Sequence, residues 1–426
     1  MFNLKENDSW TYIKLGDIVT VKHGYAFKGS NFTSVNTHKV VLTPGNFKIG
    51  GGFKSEKFKF TTEECPSEYV LQGGDIVVSM TDLSKYGDTL GYSALIPKDS
   101  RYKYLHNQRI GLIKFKKEDV SRDFIYWVLR TRDFNRFLAG SATGSTVKHT
   151  SPSIIGEYHF MIPNNISEQD SISKILSDLD AKIELNQKMN KTLESIAEAI
   201  FKHWFIDFEF PNEEGKPYKS SGGEMVDSEL GKVPKKWTIK TLDGIANFLN
   251  GLALQRYPAI TENDYLPVIK IKEMNYGISG SSDKASRDIP SEYIVHNGDV
   301  LFAWSGSLGV TIWCNGEGAL NQHIFKISSN EYPKWFYYEW LLYYLPNFIE
   351  IARDKATTMG HIQRHHLSES LVAVPDSNTL EIMNNVLKLI IDRIINLKVE
   401  NDTLTKTRDL FLPSLISGKI RVPLEG

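Results

Sequence analysis

Two long stretches of the chain carry mostly apolar residues at alternating spacings of four and three positions, which predicts two amphipathic helices. Charged side chains lie between these positions, so each stretch has the heptad pattern of a coiled coil. Each helix could instead pack on its own domain, but the shared register favours mutual pairing. The seam of the first stretch is Ile172, Leu176, Leu179, Ile183, Asn186, Asn190, Leu193, Ala197 and Ile200, and adding 211 gives the second seam, Met383, Leu387, Ile390, Ile394, Leu397, Asn401, Leu404, Arg408 and Phe411.

One matched position of the two seams holds asparagine in both copies, as Asn190 and Asn401. A polar residue in an apolar seam lowers stability and fixes the register, because only one alignment gives it a partner. We expect these two residues to select one alignment of the helices. Since each helix leaves a successive domain, the two would pair antiparallel.

The segments that precede the helices also occur twice, in the same order. Ser67–Asp75 recurs as Ser291–Asp299 with five identities in nine positions. A chain of two related halves can present two similar surfaces related by a pseudo-two-fold axis, which matches the symmetry of duplex DNA. Other matched residues are Trp10 with Trp237, Gly24 with Gly251, Asn107 with Asn321, Gln108 with Gln322, Thr146 with Thr358, and His149 with His361.

Each half is predicted to combine strands with shorter helices. A Gly-Asp turn leads into the β-type runs Ile76–Met80 and Val300–Trp304. Amphipathic helices are predicted at Asp123–Leu138 and Pro333–Ile351, the second weakened by Pro346.

The predicted fold class is α+β, with two homologous α/β domains separated by two long helices that form an antiparallel coiled coil. The predicted segments are a first domain at 1–166, a central helix at 167–205, a linker at 206–232, a second domain at 233–376, a C-terminal helix at 377–412 and a tail at 413–426.

Composition is typical of a globular protein, with 426 residues, 41% hydrophobic and 24% charged. Two cysteines without metal-ligand spacing, no apolar run of membrane-spanning length and no stretch of signal-peptide type predict a cytoplasmic protein. The net charge is −1, yet Lys98–His149 holds twelve Lys and Arg against five Asp and Glu. A local basic surface of this kind fits DNA binding, although a solvated basic face is the alternative.

Several segments together resemble the specificity (S) subunit of type I restriction-modification enzymes, over essentially the full length. The first is Phe201–Pro211, and the second, Ser228–Leu242, is similar to the family's entry into its second domain. The others are Gly144–His149 with its counterpart Thr357–Leu367, and the C-terminal Phe411–Val422.

This resemblance implies a DNA-reading subunit without catalysis of its own. Members carry two target-recognition domains, each of which reads one half of a bipartite site on double-stranded DNA. Their helical regions bind two methyltransferase (M) subunits, which restriction (R) subunits join, and S-adenosylmethionine is expected on the methyltransferase. A protein-binding adaptor without DNA readout and a specificity subunit of another restriction-modification type remain alternatives.

Candidate DNA contacts fall on the matched loops and on places where the halves differ. Small hydroxyls, Lys, Arg and His suit phosphate contacts, while Arg and Gln suit guanine and adenine edges. The alternatives are a loop that caps its own domain and ordinary exposed residues. The loop candidates are Thr143, Ser145, Thr146, Lys148 and His149, then Thr357, Thr358, His361, Gln363, Arg364 and His365; the candidate base readers are Lys28, Lys85, Tyr86, Gln255, Arg256 and Trp304. We interpret Asn107-Gln108 and Asn321-Gln322 as internal hydrogen-bonding residues.

Catalytic and metal sites are not predicted. The chain has no Asn-Pro-Pro or Asp-Pro-Pro motif for a flipped adenine, which disfavours a fused methyltransferase or nuclease. Gly140–Lys148 lacks the Gly-Lys-Ser/Thr ending of a phosphate loop. His365-His366 lacks a cysteine or carboxylate nearby in its motif, so no metal site and no cofactor are expected in this chain.

Overall fold

The computed structural model describes residues 9–82, 89–144, 147–354 and 360–423. It divides into two compact units, of which unit 1 is Met1–Ala181 with Thr405–Gly426 and unit 2 is Lys182–Leu404. The divisions fall within two long helices, and each unit is described by itself below. The six segment bounds given above remain predictions.

The described part of unit 1 contains four small sheets and a set of helices. Its helices are α1 (Leu15–Ile18), α2 (Arg122–Val128), α3 (Arg132–Ser141), α4 (Pro152–Gly156) and the start of α5 (Ile166–Phe201). Its strands are β1 (Trp10–Lys14), β2 (Val19–His23), β3 (Phe32–Thr33), β4 (Lys39–Val41), β5 (Lys59–Thr61), β6 (Ile76–Ser79), β7 (Thr81–Asp82), β8 (Ser93–Leu95), β9 (Lys103–Leu105), β10 (Ile110–Phe115), β11 (Lys148–His149) and β12 (His159–Pro163).

Unit 2 contains the remaining elements. Its helices are α6 (Leu242–Ile245), α7 (Ile271–Tyr276), α8 (Lys334–Asp354), α9 (Arg364–Glu369) and most of α10 (Ser377–Ile416). Its strands are β13 (Met225–Ser228), β14 (Gly231–Pro234), β15 (Thr238–Thr241), β16 (Asn247–Asn250), β17 (Leu266–Ile269), β18 (Lys284–Ala285), β19 (Ile294–Val295), β20 (Val300–Ala303), β21 (Gly309–Ile312), β22 (Gly318–Leu320), β23 (Ile324–Ser328) and β24 (Leu371–Val374).

The sheets of the two units correspond closely. The antiparallel sheet β2-β10-β6-β8 of unit 1 matches β16-β23-β20-β21 of unit 2. The pair β1-β12 matches β15-β24. A further sheet in each unit includes one parallel pair, β4 with β9 and β17 with β22. The duplicated α/β architecture predicted from the sequence is therefore confirmed.

The repeated Gly-Asp turn has the same geometry in both units. Gly74 and Gly298 adopt φ values of +90° and +91°, which favour glycine. The carboxylate of Asp75 accepts a hydrogen bond from the backbone N–H of Gln72 at 2.9 Å, and Asp299 does so from His296 at 2.8 Å. The strands that follow, β6 and β20, are buried throughout, as their apolar runs predict.

The helix predicted at Asp123–Leu138 is wrong as one element. The structure has two helices there, α2 and α3, with a break at Leu129–Thr131. The side chain of Thr131 accepts a hydrogen bond from the backbone N–H of Phe134 at 3.3 Å and so begins a new helix. The helix predicted at Pro333–Ile351 is confirmed as α8, which contains Pro346.

The long helices α5 and α10 pair antiparallel within each unit, as predicted. In unit 2, the Nδ2 of Asn401 donates to the carbonyl of Ile183 at 3.3 Å, and Asn186 donates to Glu400 at 2.9 Å. Farther along α5, Glu194 pairs with Lys398 at 2.8 Å. Residue numbers thus fall in α10 as they rise in α5.

In unit 1 a buried charge network joins the same two helices to the domain. Asp180 of α5 accepts hydrogen bonds from Arg130 and from Arg408 of α10. The Arg130 side chain is 2% exposed, and its guanidinium lies 4.2 Å from the ring centre of Trp127. Burial by itself would raise the pKa of Asp180, but the two arginines outweigh it and lower the pKa.

The predicted seam holds along most of both helices and departs at the end of α10. Phe411 is 39% exposed, whereas Leu412, Leu415 and Ile416 are buried in the core of unit 1. A straight α-helix repeats every 3.6 residues and drifts by about 20° per heptad from a 3.5-residue seam. The buried face has therefore moved by one residue after Arg408, and the prediction for Phe411 is wrong.

The side chains of the seam asparagines have only some of the hydrogen bonds that they could form. Among the residues that the structure describes, the buried Oδ1 atoms of Asn186, Asn190 and Asn401 have no hydrogen-bond partner. The Nδ2 atoms of Asn401 and Asn186 each donate to the opposite helix, to Ile183 and Glu400 respectively. Within the described residues, no hydrogen bond joins Asn190 to Asn401. Their role in selecting the register stays a hypothesis.

Replacing both Asn190 and Asn401 with leucine is expected to raise the thermal unfolding temperature. Each buried amide oxygen without a partner costs about 1–3 kcal/mol, and leucine removes that cost. We also expect a broader range of helix alignments, measured as distances between spin labels on α5 and α10. The same substitution at exposed Asn396 is the control and should change little. A double variant that fails to fold would contradict the register hypothesis.

Candidate nucleic-acid interface

In unit 1, the first matched loop lies against the end of the strand that follows the Gly-Asp turn. Strand β11 pairs with β7, which places His149 opposite Thr81, and their Nδ1 and Oγ1 atoms are 3.1 Å apart. The backbone N–H of Thr150 also donates to the carbonyl of Met80 at 3.0 Å. Thr143 and His149 close the loop with two backbone hydrogen bonds of 3.0 and 3.1 Å.

Unit 2 repeats this arrangement. Ser305 and His361 form an antiparallel bridge at the positions that correspond to Thr81 and His149. The backbone N–H of Ile362 donates to the carbonyl of Trp304 at 3.0 Å, as Thr150 does to Met80. The two matched motifs, far apart in sequence, therefore meet at an equivalent place in each unit.

The candidate residues of unit 2 differ in exposure and in their hydrogen-bond partners. Trp304 donates its indole N–H to Asn250 at 3.0 Å, and its ring centre lies 6.4 Å from that of His361. Gln255 and Arg256 are exposed on a short turn. Arg364 instead donates to the carbonyl of Phe248 at 3.2 Å, which ties it to its own domain.

Gln255 is one of the residues that line a cleft of about 320 Å³. Two lysines line this cleft: Lys270 pairs with Asp283, and Lys272 donates to Ser281 at 2.9 Å. The cleft is lined by Gln255, Lys270, Ile271, Lys272, Asn321, Gln322 and His323.

The other predicted contacts are more scattered. Lys28 is exposed next to a short turn, and its backbone N–H donates to Glu63 at 3.1 Å. Lys148 is half-buried in β11, and Gln363 and His365 are exposed around the start of α9. The candidates Lys85, Tyr86, Ser145, Thr146, Thr357 and Thr358 lie outside the described residues.

The interpretation of the repeated Asn-Gln pairs as internal is confirmed for the asparagines and wrong for the first glutamine. Asn107 and Asn321 are 8% and 5% exposed. Gln108 is exposed and Gln322 is half-buried. One sequence signal of exposure at this position is the residue after the glutamine. It changes from Arg109 to His323, although the residues on either side recur.

The residue directly before Asn107 is a fully buried histidine, His106. Burial lowers the pKa of His106 to about 4, so its ring is neutral near pH 7. A neutral ring donates one hydrogen, and Nε2 lies 2.8 Å from the carbonyl oxygen of Ile110, which can only accept. His106 therefore links to Ile110 without adding a charge next to Asn107.

A carboxylate does approach the paired histidines, contrary to the sequence interpretation. Ligand atoms of His365, His366 and Glu369 lie within 4.8 Å of one another. However, the Nδ1 of His366 accepts a hydrogen bond from the backbone N–H of Gln363 at 2.9 Å. In a neutral imidazole this leaves Nε2 protonated, which disfavours metal coordination by His366.

The sequence matches the family described as type I restriction modification DNA specificity domain twice, at residues 7–195 and 234–406. The chain belongs to this family. It is a specificity subunit with two target-recognition domains, one in each unit. Within the described residues, no helix is long and apolar enough to cross a membrane.

Two curated relatives are similar over most of their length. The type I restriction enzyme MjaIX specificity subunit of Methanocaldococcus jannaschii is 28% identical over 319 residues, covering 72% of this chain and 71% of that protein. The HindI specificity subunit of Haemophilus influenzae is 24% identical over 411 residues, covering 79% and 87%.

A solved structure shows the same fold. The crystal structure of the S subunit of the type I restriction-modification system from M. genitalium matches with a TM-score of 0.54 at 16% identity. The match covers 97% of this chain and 98% of that one.

Proposed function

We propose that this specificity subunit reads a bipartite target on double-stranded DNA, with one target-recognition domain for each half-site. The observation that carries the proposal is the repeated junction of the matched loop with the strand end, at Thr81 and His149 and again at Ser305 and His361. Two equivalent surfaces in one chain suit two half-sites. The basic window Lys98–His149 lies in the same unit as the first junction.

The long helices are proposed to dock two methyltransferase subunits, which restriction subunits join. In support, α10 carries exposed apolar residues spaced by four and three positions in unit 2, namely Ile382, Val386 and Leu389, at 45%, 40% and 67% exposure. Such a stripe is typical of a helix that packs against another protein. S-adenosylmethionine and the methyl-transfer chemistry would belong to the methyltransferase, and this chain would act in the cytoplasm without catalysis of its own.

DNA affinity is expected to fall steeply with salt and to rise when the methyltransferase subunit is added. For six or more phosphate contacts, affinity should fall by about 10³ or more between 50 and 200 mM salt. Filter binding of a random-sequence duplex by the full chain, with and without the methyltransferase, measures both effects. A flat salt dependence would contradict DNA binding and favour a protein-only adaptor. Methyl transfer by the purified chain alone would contradict the non-catalytic role.

A further inference from the structure

We propose that the turn after β9 in unit 1 and after β22 in unit 2 is the base-reading element of each domain, an assignment that rests on the DNA-reading function proposed above. Its shared glutamine, Gln108 or Gln322, contacts a base edge in both half-sites. The next residue, Arg109 or His323, differs and makes the two half-sites different.

The turn is held rigidly by its buried asparagine. The Oδ1 of Asn107 accepts a hydrogen bond from the backbone N–H of Arg109 at 2.9 Å. In unit 2, Asn321 accepts from His323 at 3.2 Å. An Asx side chain that bonds the backbone two residues on fixes the path of the turn. The reading residue is thereby positioned before any ligand binds.

A second set of contacts joins the turn to the segment that directly follows β2 in unit 1 and β16 in unit 2. The N–H of Gln108 donates to the carbonyl of Tyr25 at 3.0 Å, and that of Gln322 to Leu252 at 2.9 Å. A Cβ on Gly24 would lie 2.2 Å from the carbonyl oxygen of Asn107. Gly251 has the same relation to Asn321, also at 2.2 Å. Glycine recurs at this position because no side chain fits between the two segments.

The turn is also joined to the matched loop through the strand end between them. The N–H of Met80 donates to the carbonyl of Arg109 at 2.9 Å, and Trp304 to His323 at 3.4 Å. Since Met80 and Trp304 also accept from the matched loops, turn, strand end and loop form one hydrogen-bonded surface in each unit. Much of the backbone of the turn is therefore hydrogen-bonded within its own domain.

The side chains themselves have the chemistry of base recognition. Gln108 and Arg109 are both exposed, and the described part of unit 1 shows no side-chain hydrogen bond or ion pair for either. A guanidinium fork matches O6 and N7 of guanine, and a glutamine amide matches N6 and N7 of adenine. The half-site of unit 1 is therefore expected to contain a guanine read by Arg109.

In the second domain His323, which stands where unit 1 has Arg109, is held by side-chain contacts. The Nδ1 of His323 lies 3.1 Å from the Oγ of Ser305, and its Nε2 lies 3.2 Å from the Nε2 of Gln322. Both residues line the cleft of about 320 Å³ that Gln255 also borders. Readout here is expected to use Gln322 and Gln255 together, with His323 orienting Gln322.

Selection from a randomised duplex library tests the assignment, using the full-length chain with its methyltransferase partner. Arg109→Ala should lose the preference for one guanine in one half-site by about ten- to hundredfold, with the other half-site unchanged. Arg109→Lys should keep overall affinity and still lose that preference, since lysine lacks the fork. Gln322→Ala should alter only the other half-site.

Arg101→Ala is the matched control, because Arg101 is exposed in the same unit but precedes β9, whereas the turn follows it. Thermal melting should show all these variants folded as the wild type, since the altered side chains are not in the core. If Arg109→Ala and Gln322→Ala keep every base preference, the assignment is overturned while the DNA-reading function stands. A wild-type complex that enriches no motif would overturn both.

Discussion

Asp180→Asn is expected to destabilise unit 1 by about 3–5 kcal/mol, the cost of removing one partner from a buried ion pair. The carboxylate of Asp180 contacts two guanidiniums, those of Arg130 and Arg408. The Arg130 side chain is 2% exposed, so water cannot replace the lost partner. Arg408 retains Asp409 at 2.7 Å, which leaves Arg130 as the uncompensated charge.

Urea unfolding followed by tryptophan fluorescence measures this change, because Arg130 lies directly over Trp127. Asp178→Asn is the matched control on the same helix. Asp178 pairs with Lys174 at 2.7 Å in a pair that is 65–73% exposed, and such surface pairs contribute about 0.3–0.5 kcal/mol. Equal losses in the two variants would show that the buried network does not stabilise the unit.

Glu339→Gln is expected to stabilise unit 2 and to remove a pH dependence. Glu339 of α8 is 3% exposed. Burial raises its pKa to about 8, and the nearby Glu198 and Glu194 add to the increase. Between its usual pKa of 4.5 and about 8, folding requires uptake of a proton, so stability falls by about 1.4 kcal/mol per pH unit. The loss is complete above pH 8, where it reaches roughly 4–5 kcal/mol.

The comparison that isolates this effect is the difference in unfolding free energy between variant and wild type at pH 5.5, 7 and 8.5. It should grow with pH and then level off. Glu350→Gln, on the exposed part of the same helix, should show no such growth. A constant difference across this range would mean that Glu339 is already ionised in the folded protein.

Local patterns predicted much of the fold because the residues responsible are close in sequence. The Gly-Asp turns, the buried strands after them and the two heptad helices all follow from periodicity and turn chemistry. The break at Thr131 cannot be predicted from periodicity, because the apolar pattern of Asp123–Leu138 continues across it while one hydroxyl starts a new helix. The prediction for Phe411 is wrong because a strict heptad repeat does not include the drift of a straight helix.

The candidate site was harder to predict, because it is assembled by hydrogen bonds between distant segments. Asn107 and Gln108 have neighbouring positions and similar chemistry, yet one is buried and the other exposed. Their roles differ because the side chain of Asn107 accepts a hydrogen bond from the backbone of Arg109, whereas Gln108 bonds Tyr25 through its backbone and leaves its side chain exposed. The network of Arg130, Asp180 and Arg408 likewise has no signal in a single sequence, since its members are far apart.

That network also sets a limit on recombination between the halves of the gene. At a shift of 211, the counterparts of Asp180 and Arg408 are Ile391 and Ala197, both buried in the apolar core of unit 2. A crossover that copied only one helix segment into the other repeat would bury an aspartate or an arginine without its counter-charge. An exchange of DNA-reading surfaces is therefore compatible with the fold only where the crossovers fall outside the long helices. Each helix segment then stays with the domain against which it packs.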